Sequence, residues 1–398
     1  MPTVTAHAQS RRLAAVQTPV IPVVGRWIAE TPGTISLGQG IVSYGPPPEV
    51  VDAVQRFGAA LEDHRYGPVE GLKPLIQILE AKLERENNIF VRPQSRLVVT
   101  AGGNQAFMNA VLAIADPGDE FILPVPYYFN HEMAIVMAAA MPVPVPTLPD
   151  LQLDIDAIAH AITPRTRAVV TVSPNNPTGA VYDEASLRAV NSLCRDRGVF
   201  HIHDEAYEYF TYDVPHFSPG SIEGAAGHTI SLYSLSKAYG MASWRVGYMV
   251  IPELLWNAVN KIQDTLLICP PAVSQRAAIA AVTVGATYAT ARLAGLDATR
   301  RQMRAALTAS GMPCTVPEAN GAFYFFFRVD CAIDPMVLTE RLVREHRVAV
   351  MPGSAFGASG CTIRASYGAL DAATVSEGLG RLVNGLKTLT GSGVGSTT

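Results

Sequence analysis

Lys237 stands in the stretch SLYSLSKAYGMASWRVGY, residues 231–248, with Ser234 and Ser236 just ahead of it and Arg245 eight residues on. Charged residues are only 16% of the chain, and the flanks here are apolar, so this lysine needs a chemical reason. An uncharged lysine amine is a nucleophile toward carbonyl carbon and suits a covalent anchor for a cofactor. Desolvation and a cationic neighbour would each lower its pKa toward that form. The planar donors of an arginine match phosphate oxygens.

Other stretches carry polar residues just after strand-like runs. VVTAGGN (98–104) ends a strand on two glycines and opens a helix, which leaves backbone N–H groups free for an anion. SPNNPTG (173–179) reads as a turn whose asparagines bond nearby backbone. HDEAY (203–207) places an aspartate at a strand end, where capping a helix is the plain alternative. IRASYG (363–368) puts an arginine on an otherwise apolar strand, where a buried charge needs a partner.

The elements that must position these residues alternate. RLVVT, EFILP, RAVVTVS, VFHIHD, TISLYS and VGYMVI read as strands, and the first three of these runs are followed by helical patterns. That order predicts an α/β fold with a mostly parallel sheet covered by helices on both faces. Ligands of such sheets sit at the carboxyl ends of the strands. After residue 272 the texture changes to two helical stretches (273–284 and 287–310), the strands AFYFFFRV, VAVMP and CTIRASY, and helices at PMVLTERLVREH and near 371–388. The expected organisation is an N-terminal arm and part of a small domain (1–45), a large domain (46–272), a small α+β domain (273–390) and a disordered tail (391–398).

Composition removes several classes. The chain has 398 residues, 48% hydrophobic, with a net charge of −4 and a pI near 6.1, so no basic excess points to nucleic acid. The five cysteines are scattered, which fits neither a zinc framework nor a disulfide scaffold and makes a reducing cytoplasm the expectation. No apolar run reaches the roughly 18–20 residues that span a membrane. The first 29 residues lack acids and carry Arg11 and Arg12, as a transit peptide would, but VQTPVIPVVGRWI is broken by prolines and is read as a short ordered arm.

Taken together, AGGN, NNPTG, DEAY, SLSKAYG, WRVGY and IRASYG, in this order and spacing, resemble the class I and II pyridoxal-phosphate aminotransferases of fold type I. The resemblance runs from LGQG near residue 37 to IRASYG near 364. It implies that Lys237 forms the Schiff base with pyridoxal 5′-phosphate and then moves a proton between substrate Cα and cofactor. Asp204 would pair with the pyridine nitrogen, and Tyr207 and Asn176 would bond the ring oxygen. Arg245, Ser234, Ser236 and the backbone at Gly103 and Asn104 would hold the phosphate. Tyr128 would stack on the ring, with Tyr127 as its rival. Arg364 would clamp the substrate α-carboxylate, with backbone at Gly40 beside it. Tyr66 resembles the tyrosine that reaches a neighbouring subunit's phosphate, which implies a homodimer with shared active sites.

The activity so implied is a ping-pong exchange of an α-amino group between an amino acid and a 2-oxo acid. A β-lyase, a synthase or an amino-acid oxidase on the same fold stays open, since proton placement selects the outcome. A cofactor-sensing DNA-binding regulator would need a basic domain ahead of LGQG, and only about 35 residues precede it. Acid-specific relatives take a second arginine from the neighbouring subunit, just before a proline-rich turn. The corresponding stretch here, KIQDTLLICPPAVSQ, has none. Either a neutral or aromatic side chain meets Leu266, Leu267 and Ile268, or a cationic one meets Asp264, unless Asp264 simply pairs with Lys261.

Overall fold

The computed structural model describes residues 9–391. Seven strands form the main sheet: β1 (Ser95–Thr100), β2 (Glu120–Val125), β3 (Met141–Pro146), β4 (Thr166–Val172), β5 (Phe200–Asp204), β6 (Thr229–Ser234) and β7 (Gly247–Pro252). Their order is β1-β7-β6-β5-β4-β2-β3, and only β7 runs against its neighbours. The α/β reading with a mostly parallel sheet therefore holds. Because β7 is reversed, Arg245 just before it lies at the same sheet end as the residues that follow β1, β2, β4, β5 and β6.

β3 was not expected from the sequence. MPVPVP carries prolines at alternate positions, yet it pairs with β2 alone at the sheet edge. On an edge strand every second N–H points away from the only neighbour, so those positions tolerate proline.

Both sheet faces are covered. Leu97, Val99, Tyr248 and Val250 meet helices Lys73–Lys82 and Ala272–Val284 on one side. Val98, Phe121, Ile202, Leu232 and Met249 meet Gly103–Ile114, Phe129–Met137 and Trp256–Leu267 on the other. The expected boundary at residue 272 thus falls ahead of a helix whose buried alanines pack on the large sheet. The change of partner comes later, at helix Leu293–Leu307, whose Met303 and Leu307 join the second core.

That second core surrounds a four-stranded antiparallel sheet in which Tyr324–Val329 pairs with Thr362–Ser366. Ile35–Ser36 pairs with Val348–Ala349, which ties the N-terminal segment to this region. The prolines near residue 20 do not break structure. Pro22 sits in the first turn of helix Val20–Glu30, where a missing N–H has no partner to lose. At the other end, the last helix runs to Gly391, so the expected disordered tail loses its first residue to that helix. The rest of it lies outside the described residues.

Candidate active site

The carboxyl ends of five strands and the start of β7 converge on a cavity of about 440 Å³. Gly40, Gly103, Asn104, Tyr128, Asn176, Asp204, Tyr207, Ser234, Ser236, Lys237, Arg245 and Arg364 all line it. Tyr66 does not: it is 80% exposed in a separate groove with Leu267 and Cys269.

One end of the cavity is built from donors. Helix Gly103–Ile114 begins without a side-chain cap, and its first two residues, Gly103 and Asn104, line the site. Gly102 precedes it at φ 86°, and a Cβ there would meet Arg245 Nη2 at 2.5 Å, so only glycine lets the arginine approach this turn. Arg245 is itself left-handed (φ 52°), and donates to Ala242 O at 2.9 Å. Among the described residues no carboxylate pairs with it, and Ser234 and Ser236 stand beside it on the cavity wall. A dianion is the group this donor set fits.

Lys237 occupies the middle. Its amine donates to the Gly40 carbonyl and has no carboxylate partner among the described residues. Burial, then the charges of Arg364 and Arg245, bring its pKa down from 10.5 to about 8. Asp204 ends β5 with Oδ1 accepting the Ala206 N–H at 3.0 Å and Oδ2 lying 3.1 Å from His131 Nε2. His131 is buried and stacks on Phe107 with centroids 3.9 Å apart.

Above these groups lies a chain of hydroxyls and amides. Tyr207 and Tyr324 share a hydrogen bond of 2.7 Å, and Asn176 Nδ2 donates to the Tyr207 oxygen at 3.4 Å. Burial holds the Tyr207 hydroxyl well above its ordinary range, so it stays a donor. Asn176 Oδ1 in turn accepts from Arg364 Nη1 at 2.7 Å, while Arg364 Nη2 reaches Gly38 O at 2.7 Å. Arg364 is 2% exposed, lies over the Tyr324 and Phe356 rings, and leaves its Nε without a partner. No described carboxylate neutralises it. A buried guanidinium in that state is a receptor for an anionic ligand.

Tyr128 lines the cavity and burial lifts its hydroxyl to about 12, whereas its rival Tyr127 lies against Gly357. Asp264 is exposed on helix Trp256–Leu267, outside this cavity, and no ion pair among the described residues joins it to Lys261. Sequence reasoning missed His131, Tyr324 and the apolar wall of Ile21, Ile41 and Phe129. His131 had a signal, since it falls in the first turn after PYY at a strand end. Tyr324 had none: the register that sets Phe326 opposite Arg364, two residues away, shows only in the structure.

The family model for aminotransferase class I and II matches residues 32–382. An aromatic aminotransferase of Arabidopsis thaliana is 34% identical over 390 residues, covering 96% of each chain. An aspartate/prephenate aminotransferase of Thermus thermophilus is 36% identical over 339 residues, covering 84% of this chain and 86% of that one. Among solved structures, a mutant Thermus thermophilus aspartate aminotransferase superposes with a TM-score of 0.88 at 31% identity, covering 96% of this chain and 100% of its own.

Proposed function

The chain belongs to the class I and II aminotransferases, and from that premise we propose that its cavity transfers the α-amino group of neutral or aromatic amino acids to a 2-oxo acid. Aminotransferase activity follows from the family, the fold being type I, and the family's cofactor is pyridoxal 5′-phosphate. The residues present fit that group. The helix N-terminus, Arg245, Ser234 and Ser236 would hold its phosphate, Lys237 its aldehyde, Asp204 its ring nitrogen, and Tyr207 and Asn176 its ring oxygen. When bound, it supplies an electron sink for negative charge at the substrate Cα.

The protein's own work is binding and proton placement. Arg364 takes the α-carboxylate in a two-pronged pair and so orients the Cα–H bond toward Lys237. Lys237, neutral above about pH 8, accepts the Cα proton as a general base. Asp204 holds a proton at the ring nitrogen, and His131 fixes the carboxylate that does so. Tyr207 donates to the ring oxygen and is steered by Tyr324.

The observation that carries the reading is Arg364: a buried, unneutralised guanidinium facing a depressed lysine across one cavity. The side-chain preference rests on Ile21, Ile41 and Phe129, because among the described residues the lining holds no cation beyond Lys237, Arg245 and Arg364. We read Tyr66 as completing a neighbouring subunit's site in a homodimer, supported by its exposure beside Leu267 and Cys269. We further propose two domains meeting near residue 290, and a cytoplasmic setting, supported by five free cysteines. No described helix is long and apolar enough to cross a membrane.

The test is a donor panel. Purified protein with the cofactor, 2-oxoglutarate or pyruvate and single amino acids should yield glutamate or alanine fastest from leucine, phenylalanine or tyrosine. Faster turnover of ornithine, lysine or arginine would overturn the preference. Ammonia or peroxide without new amino acid would overturn the reaction.

A further inference from the structure

The turn DEAYE, residues 204–208, faces two ways. Asp204 and Tyr207 line the cavity, whereas Glu205 and Glu208 point into a polar cluster behind it. Beyond Asp204 this segment has no strand ladder; its backbone is held by Glu205 N–H to Leu232 O and Glu208 N–H to Glu205 O. The side chains of the two glutamates therefore tether the turn from behind, while Asp204 pairs with Leu232 in the sheet and Tyr207 bonds Tyr324 on the cavity side.

Lys82 anchors that cluster. It ends helix Lys73–Lys82 and is followed by a π turn, Leu83–Asn87, whose wider winding brings residues five apart onto one side. Lys82 Nζ donates to Asn87 Oδ1 at 2.8 Å and to Glu208 Oε2 at 2.5 Å. Asn87 Nδ2 lies 2.9 Å from both Glu208 Oε2 and Ser218 Oγ. Ser218 and Tyr233 donate to Glu205 at 2.5 and 2.7 Å, and His216 Nε2 lies 2.8 Å from it. Lys82 is 3% exposed, and its Nζ sits over the Tyr209 and Tyr233 rings. Glu205, Glu208 and His216 are close enough to hold a metal ion, but the Lys82 ammonium already supplies a cation there. A small gap beside Lys82 is also lined by Ser234, so the cluster abuts the donor end of the cavity.

We propose that Lys82 is a positioning residue for the reaction: through Glu208 and Asn87 it fixes the turn that presents Asp204 and Tyr207 to the cofactor. This rests on the functional reading above. A largely buried carboxylate that loses its cation is driven toward water, and Glu208, 12% exposed at its side chain, adjoins Tyr207 in the chain. Sub-ångström displacement of a reacting group is enough to slow turnover.

The test uses Lys82→Met, Lys82→Arg, Tyr207→Phe and the double variant Lys82→Met with Tyr207→Phe, each loaded with cofactor. Lys82→Met should lower kcat by about 10–100-fold with the donor KM within about threefold. The pH midpoint of the bound cofactor's absorbance should move toward that of Tyr207→Phe. Added to Tyr207→Phe, Lys82→Met should shift the midpoint no further than Tyr207→Phe alone does, because the shared route is already gone. Lys82→Arg should restore most of both. In cofactor-free protein, amide exchange at residues 205–210 should quicken in Lys82→Met while β6 stays protected. A residue that only holds the fold together would lower the melting temperature and leave the midpoint at its wild-type value; that result overturns the proposal, as does a further shift on adding Lys82→Met to Tyr207→Phe as large as the one it causes in wild-type protein. If Lys82→Met does not fold, Glu208→Gln is read by the same midpoint and decides in the same way. Wild-type protein without any cofactor band would instead overturn the functional reading.

Discussion

His131 Nε2 meets Asp204 Oδ2 at 3.1 Å at the floor of the cavity, and the imidazole is clamped from behind by Phe107. The pair spans 73 residues of sequence and joins helix Phe129–Met137 to the end of β5. Replacing His131 by phenylalanine keeps the stacking volume and removes the partner. Turnover should fall by about 10–100-fold, as when a group behind an active-site ligand is lost, with donor KM little changed. Unchanged kcat in steady-state assays would show that Asp204 needs no support from this side.

Lys237 makes the stability of the cofactor-free protein depend on pH. Its folded pKa of about 8 lies below the ordinary 10.5, so between those values the unfolded chain holds more protons. Stability must then rise with pH across that window and be fully penalised below it. The single-group contribution is at most about 3 kcal/mol. Urea melts at pH 7.5 and 10 should show the rise in wild-type protein and a flatter profile in Lys237→Ala. Labelling of cofactor-free protein with a small amine reagent should give a Lys237 midpoint near 8.

Arg364→Met should cost about 100-fold in kcat/KM for α-amino acids, the worth of a charged two-pronged pair. Cofactor affinity, read from absorbance, should change little, because the phosphate donors lie at the other end of the cavity. An equal loss of cofactor binding would move Arg364 from substrate recognition to cofactor retention.

At Gly40 a Cβ would lie 2.7 Å from the Tyr324 hydroxyl, which is itself pinned to Tyr207. Gly40→Ala should therefore destabilise the fold by about 1–3 kcal/mol and slow turnover. Adding Tyr324→Phe removes the clashing oxygen and should recover the melting temperature. A double variant no more stable than Gly40→Ala would contradict this account.

Tyr66 is too exposed for its removal to disturb the subunit that carries it. Tyr66→Ala should keep the melting temperature of the cofactor-free protein and weaken cofactor affinity by about tenfold, the worth of one hydrogen bond to a charged group. Wild-type affinity in fluorescence titrations would remove the shared-site reading.

Most of the cavity was legible in the sequence because its residues sit where the chain must stop being a strand. Lys237, Asp204, Asn176 and Arg245 each lie at a strand end, and strand ends show themselves as apolar runs meeting polar residues. His131, despite its place just after a strand end, and Tyr324 were passed over for the opposite reason. They lie inside regular elements, a helix turn and an apolar strand, where a histidine or tyrosine looks like ordinary core. Lys82 was hidden further: nothing in KLEREN marks a lysine that reaches 126 residues along the chain to Glu208. The strand Met141–Pro146 and the helix Val20–Glu30 went unseen because proline was weighed by its usual meaning. At a sheet edge and in a first helical turn that meaning is suspended.

The helix that opens at Val20 supplies Ile21 to the cavity wall, and Val20 and Val24 dock it on Phe129, Phe326 and Phe356. The helix Val20–Glu30 is thus part of the wall that bounds the cavity. A purification handle fused ahead of residue 20 is not a neutral addition. Kinetic constants from N-terminally and C-terminally tagged preparations should be compared before either is taken as the enzyme's own.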